Sequence, residues 1–230
     1  RLNQPKYGYI SERKYILREV IRLRDMLIDF SNGQDSVNLK SAFIPNTRVQ
    51  IYFTESEKYF KPTVELLYKS KNGRVHKNND FRFAFFSKVA LETIKRLFWQ
   101  PDIIICNDWQ MSFLPILLKN NYKDNEYYKN IKTVFILHSI DEYRYHSDLS
   151  YQYIGLDAPS SKIDNLELAI KFSDYLIVID DEKNGMSKLF KKNKNLFNAH
   201  KKTKTTFLKV SSKPKWSEIS KKIETLLRKI

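Results

Sequence analysis

PDIIICNDWQ, residues 101–110, runs directly into MSFLPILLK, residues 111–119. Four apolar residues end abruptly in Asn-Asp-Trp-Gln, and a second apolar run then continues at helical spacing. A short, continuous apolar run bounded by turn residues reads as a fully buried strand, and the run after it as a helix. The same alternation extends outward from this point. Downstream come a strand at Thr133–Leu137, a helix through Leu166–Phe172, a strand at Tyr175–Ile179 and a helix from about Glu182. Upstream, Phe85, Phe86, Val89, Ala90, Ile94 and Leu97 recur at three- and four-residue steps, with Lys88, Glu92, Lys95 and Arg96 opposite them. Apolar strands alternating with amphipathic helices predict a parallel, Rossmann-like α/β sheet with helices on both faces.

The N-terminal third reads differently. Val20–Phe30 and Val37–Ile44 flank SNGQDS, which predicts a β-hairpin. Val49–Phe53 reads as a core strand, and Glu55–Asn79 as a polar loop. The opening stretch, through PKYGYISERK (residues 5–14), reads as a strand end and a Gly-containing turn. Asp164 and Glu167 have the spacing of a helix-initiating capping box. The final stripe of Trp216, Ile219, Ile223, Leu226 and Ile230 predicts a terminal amphipathic helix docked on the sheet or on a partner.

Composition narrows the function classes. No apolar run approaches the ~20 residues that span a bilayer, and no signal peptide is visible before Arg1. Cys106 is the only cysteine, which excludes an internal disulfide or a Cys-based zinc site and fits a reducing cytoplasm. The few His residues are not spaced as metal ligands, so no metal site is expected. The net charge is +15. The lysines read as scattered over polar faces and, beside abundant Asn and Ile, as AT-rich codon drift, so a nucleic-acid partner is not expected. The densest basic run, Lys191–Thr206, reads as a solvated connector.

In an open parallel sheet, ligands sit beyond the carboxyl ends of the strands. Asn107 and Asp108 fall at such an end. Asp108 is a natural N-cap for the helix that follows, while Trp109 either packs inward or presents a flat face to a sugar ring. The strands before and after the intervening helix should be parallel neighbours. That brings Asn107–Gln110 beside His138–Tyr143, and gathers the polar tips Asn107, Gln110, His138, Ser139 and Asp141 at one strand end, with Trp109 or Tyr143 as an apolar face.

The order strand, Asn-Asp-Trp-Gln, helix, strand, His resembles the glycogen/starch synthase family of retaining glycosyltransferases. That family's pattern runs P-D-strand-H-x-H-D-W-[QH]-x-x-L-x-P-x-x-L-K and later T-strand-H-N-L. PKYGYISERK, VQIYFTESEKYF (49–60), NDFRFAFFSKVALETIKRLFWQPD (79–102) and DNLELAIKFSDYLIVID (164–180) resemble further family segments in collinear order up to about Phe190. The resemblance implies the N-terminal, acceptor-side domain of a GT-B enzyme, with glucan as acceptor and ADP-glucose as donor. It implies transfer to a 4-hydroxyl with retention and without a metal or other cofactor.

By this resemblance His138 and Gln110 are the catalytic candidates. Asn107, Asp108, Trp109, Ser139, Asp141 and Tyr143 are the substrate-binding candidates. The expected division is a domain over residues 1–190 and a basic connector with a docked helix over 191–230. Departures from the pattern also carry expectations. The family's K-x-G-G-L phosphate loop and first strand are expected upstream of Arg1, and a second chain or further domain would supply the nucleotide-sugar site. Asn107 stands where the pattern has His, Ser139 where it has Asn, Glu167 where it has Lys, and Asp180-Asp181 where it has Ser-Pro. These departures support an alternative, a non-catalytic glucan-binding or regulatory relative. Net charge alone supports a third, a basic RNA-associated domain.

Overall fold

The computed structural model describes residues 2–3, 20–60, 68–70, 72–181 and 185–230. PKYGYISERK and residues 182–184 lie outside the described residues, as do 61–67 and 71. Two four-stranded sheets organise the rest. The first contains β1 (Leu2–Asn3), β2 (Ile21–Phe30), β3 (Gly33–Phe43) and β4 (Gln50–Glu55) in the order β1-β4-β3-β2. β2 and β3 form the hairpin, closed by Ser31-Asn32, with Phe30 opposite Gly33. Gly33 has φ 120°, a backbone region that glycine reaches without steric cost. Met26, Ile28 and Phe30 face inward with Val37 and Leu39, while Leu27 faces solvent. This is the period-2 alternation of a sheet with one buried face.

After β4 the expected loop contains a short helix, α1 (Glu57–Phe60), whose Tyr59 and Phe60 are buried. Further on, Lys69 and Val75 form an isolated antiparallel bridge. α2 (Asn79–Arg96) carries the periodic stripe: Phe85, Val89, Ala90 and Ile94 are buried, while Phe86 and Leu97 are partly so. Arg82, also buried, donates from Nε to the Tyr59 carbonyl (2.9 Å) and from Nη1 to Asn79 Oδ1 (2.9 Å). Asn79 in turn donates to the Tyr68 carbonyl (2.9 Å). The Asn-x-x-Arg spacing of the quoted motif is therefore a structural clamp, a buried cation held by oxygen acceptors.

The second sheet is wholly parallel. It contains β5 (Ile103–Asn107), β6 (Lys132–Leu137), β9 (Tyr175–Asp181) and β10 (Thr205–Val210) in the order β10-β9-β6-β5. Between β5 and β6 lie a 3-10 turn, Trp109–Met111, and α3 (Phe113–Asn120), where a single helix from Trp109 is predicted. Between β6 and β9 come β7 (Tyr145–Ser147), α4 (Asp148–Ile154), β8 (Lys162–Asp164) and α5 (Asn165–Phe172). Asp164 caps α5 by accepting from the Glu167 N–H (3.3 Å), whereas the Glu167 side chain pairs with Lys171 (2.5 Å). α6 (Met186–Lys192) follows β9.

Helices cover both faces of this sheet. Phe135, Leu137, Leu176 and Val178 share one apolar core with α2, α3, α5, α6 and α7 (Lys194–Lys202). The alternate residues Val134, Tyr175, Ile177 and Ile179 form a second core under α8 (Trp216–Leu227), through Ile219, Ile223, Leu226 and Ile230. Trp216 leaves the predicted stripe and is exposed.

The connector reading of Lys191–Thr206 is corrected. Asn193 accepts from the Leu196 N–H (3.2 Å) and starts α7 (Lys194–Lys202), which buries Leu196 and Ala199. β10 then pairs along β9 from Thr205 opposite Leu176 to Val210 opposite Asp181. Residues 191–230 thus complete the sheet. The lysines occupy the outer face of α7, and its few apolar residues suffice to dock it.

Candidate active site

β5 and β6 are parallel neighbours, with Asn107 opposite Ile136, so their carboxyl ends bring the two expected loops together. Asp108 joins them. Its carboxylate is buried and accepts from the backbone N–H groups of His138 (3.4 Å) and Ser139 (3.2 Å) and from the Ser139 hydroxyl (2.6 Å). His138 Nδ1 lies 3.2 Å from Asp108 Oδ2. No side-chain bond runs from Asp108 to the following turn, so the N-cap expectation is corrected: this carboxylate spans strands. Its backbone has φ 62° and ψ 176°, a region reached almost only by glycine and costing roughly 1–3 kcal/mol. The same residue donates its own N–H to the Ile136 carbonyl (2.7 Å), which anchors the strained link to β6.

Trp109 is in the core, 1% exposed, with its ring edge-on to Tyr68 (5.3 Å) and Phe83 (5.4 Å). That corrects the sugar-stacking alternative, because a ring closed in by two aromatics has no free face. Gln110 is half-buried, and His138 is 45% exposed at its side chain. Asp141 uses its carboxylate locally, accepting from the Tyr143 N–H (3.1 Å) to cap a 3-10 turn. Tyr143 lies 6.0 Å from the Tyr68 ring, and Lys69 Nζ sits over both rings (4.9 and 5.2 Å). The Arg144 guanidinium secures that turn from below, donating to Asp164 (3.0 and 3.1 Å).

A groove of about 680 Å³ opens along the outer edge of β5. Its polar end is formed by Asn107, Asp108, Gln110 and His138, and its long apolar wall by α2 and Ile103–Ile105. Trp99 and Ile105 are half-exposed in it. Of the eight candidates, these four polar residues are the ones the groove brings together. Ser139 acts on Asp108, Asp141 and Tyr143 stand outside the groove lining, and Trp109 lies beneath it.

Local sequence carries no signal for the Asp108 clamp or for Tyr68, since both act through contacts made in the folded state. Asp180, one of the two acids standing where the family has Ser-Pro, accepts from the Ser187 N–H (3.0 Å) and hydroxyl, and so holds the first turn of α6. Among the described residues no cluster of His, Cys, Asp or Glu is arranged to hold a metal ion, and no helix is long and apolar enough to cross a membrane.

Residues 1–183 match the family profile of the starch synthase catalytic domain. The glycogen synthase of Pelodictyon phaeoclathratiforme is 41% identical over 140 residues, covering 61% of this chain and 28% of that protein. The glycogen synthase of Chlorobaculum tepidum is 32% identical over 188 residues, covering 79% and 38%. A solved structure described as the catalytic domain of Starch Synthase IV from Arabidopsis thaliana bound to ADP and acarbose superposes with a TM-score of 0.63 at 17% identity. It covers 90% of this chain and 50% of that one, a likeness of fold. The chain spans 28% and 38% of the length of the two glycogen synthases.

Proposed function

The chain belongs to the starch synthase catalytic-domain family, and from that premise we propose that it forms the acceptor-glucan side of an α-1,4-glucosyl transfer from ADP-glucose. The observation that carries this reading is the Asp108 clamp. One buried carboxylate ties two strand-end loops into a single geometry and tolerates a strained backbone to do so. Strain of this kind persists where side-chain placement matters more than stability. With Nδ1 held against Asp108, Nε2 is the ring nitrogen of His138 left for a ligand. The Gln110 amide offers both donors and an acceptor at the same end of the groove. Sugar hydroxyls need that mixture of partners.

Family resemblance supports the choice of donor, and the ADP named in the Arabidopsis structure agrees with it. In such transfers the departing diphosphate is stabilised by helix N-termini and basic side chains. We place those groups in polypeptide outside these 230 residues, so that residues 1–230 alone bind glucan and transfer none. A cytoplasmic setting accords with the single, buried, reduced Cys106.

A nuclear magnetic resonance titration with maltoheptaose tests the acceptor assignment. A half-cleft covers one side of a sugar chain, so the expected affinity is roughly millimolar, about −4 kcal/mol. Amides of 107–110 and 138–143 should shift, and His138→Ala, with its fold checked by the amide spectrum of the rest of the chain, should suppress the shifts. No shifts at saturating sugar would refute the assignment. Turnover of ADP-glucose on glycogen by residues 1–230 would refute the placement of the donor side. One observation favours a second reading, a non-catalytic glucan-binding relative: Asn107, exposed at the rim, cannot carry a proton as the family's His can. Absence of transfer by the full-length protein, with glucan binding intact, would select it.

A further inference from the structure

The positive charge is not scattered. Residues 185–230 contain fourteen Lys and Arg against two Glu, a net +12 out of the chain's +15. All fourteen are exposed. Lys215 and Arg228 pair with Glu218 and Glu224; the other twelve make no ion pair among the described residues. Codon drift adds lysines, but it does not strip a 46-residue stretch of nearly all its acids. The family profile ends at residue 183, before this charge begins.

We propose that the α6-α7-β10-α8 unit is a docking surface for single-stranded nucleic acid, bound through its phosphates without sequence preference. Shape favours this partner over an anionic bilayer. α7 buries Leu196 and Ala199 in the core on one side of the sheet, and α8 buries Ile219 on the other. Lys191, Lys192, Lys201 and Lys202 therefore lie on one side, Lys221 and Lys222 on the other, and Lys209 on the edge strand between them. A flat membrane meets one side at a time, whereas a flexible polyanion follows the surface around the β10 edge.

The residue types agree. Thirteen of the fourteen are Lys, which acts as a point charge on backbone phosphates and lacks the planar fork that reads bases. Trp216, 66% exposed directly after Lys213 and Lys215, offers a free aromatic face on which any base can stack. This inference does not depend on the glucan reading, because it uses none of the residues of the groove.

The test is fluorescence anisotropy of a labelled 20-nucleotide single-stranded RNA with the 230-residue chain at several salt concentrations. Binding should saturate, and log K should fall with log salt with a slope of about −3 to −4, the signature of about five phosphates neutralised. Reversing Lys191, Lys192, Lys201 and Lys202 to Glu should weaken binding at least about thirtyfold at low salt. Reversing the exposed Lys77, Lys95, Lys123 and Lys132 alters net charge equally and should cost less than about threefold. Trp216→Ala should weaken binding while keeping the slope. Neutral Lys→Gln versions of both sets, checked by thermal melting, separate lost binding from lost folding. Equal losses in the two sets would reduce the effect to net charge and overturn the proposal. Tighter, Lys191-set-dependent binding to phosphatidylserine vesicles would overturn it in favour of a lipid-facing surface.

Discussion

Replacing Asp108 by Ala, Asn and Gly distinguishes a strand-spanning clamp from a helix cap. The Ala variant removes the acceptor for two backbone N–H groups, the Ser139 hydroxyl and the His138 ring, in a site where Asp108 itself is 4% exposed. Hydrogen bonds to a charged group contribute about 1.5–3 kcal/mol each, and stranded donors add to the loss, although such terms do not sum. A total near 3 kcal/mol is expected, or a fall in melting temperature of about 6–12 °C for a chain of this size. Ala also keeps the φ of 62° without the interaction that holds it.

Gly relieves that strain, so despite its larger unfolded-state entropy it should be about 1 kcal/mol less damaging than Ala. Asn retains one carbonyl acceptor for the N–H groups, while its amide can donate to Ser139 and to His138 Nδ1 in the other tautomer; a loss of about 1–2 kcal/mol is expected. The order of stability is wild type, Asn, Gly, Ala, read from urea midpoints at constant m-value. A cap would instead lose about 1 kcal/mol in Ala and little in Asn. An Ala variant as stable as wild type, or a Gly variant weaker than Ala, would refute the clamp.

Trp109→Ala should cost roughly 3–5 kcal/mol through the cavity it leaves beside Tyr68 and Phe83; an unchanged urea midpoint with lost glucan binding would place the ring in the cleft instead. His146 is buried against Phe113 (4.9 Å), and burial, opposed by the Asp80 charge, lowers its pKa from 6.5 to about 4. The unfolded chain therefore binds a proton that the folded one refuses, so this contribution is present above pH 6.5 and lost as pH falls towards about 4. The loss amounts to roughly 3 kcal/mol. His146→Phe should flatten that part of the pH–stability curve, and an unaltered curve would show that the histidine titrates normally. Ile105 and Trp99, 46% and 52% exposed in the β5 groove, should make the 230-residue chain bind an apolar dye such as anilinonaphthalene sulfonate. Ile105→Lys should lower that fluorescence at unchanged melting temperature, and an unchanged signal would locate the dye elsewhere.

Local periodicity alone determined much of this molecule. The alternation from Met26 to Leu39 specifies a one-faced hairpin, and the apolar runs at 133–137 and 175–179 specify parallel strands covered on both faces, whereas the equally apolar run at 103–106 becomes an edge strand of the sheet with Ile105 46% exposed, a difference that the pattern does not carry. Neighbouring of β5 and β6 follows from the single helix between them, so the meeting of Asn107–Gln110 with His138 was legible too. The pairing of β10 was not. Thr205–Val210 holds β-branched and aromatic residues that suit a strand, but directly after a lysine-rich run, and its partner is fixed only because β9 offers it an unpaired edge. Nor was the work of Asp108, whose partners lie 30 and 31 residues away: an isolated Asp before a helical run is a cap until another strand end brings donors to it. Trp109 turns inward because Tyr68 and Phe83 close over it. Residue type and spacing record what a side chain meets along its own element; which side chains it meets across elements is decided only when those elements pack.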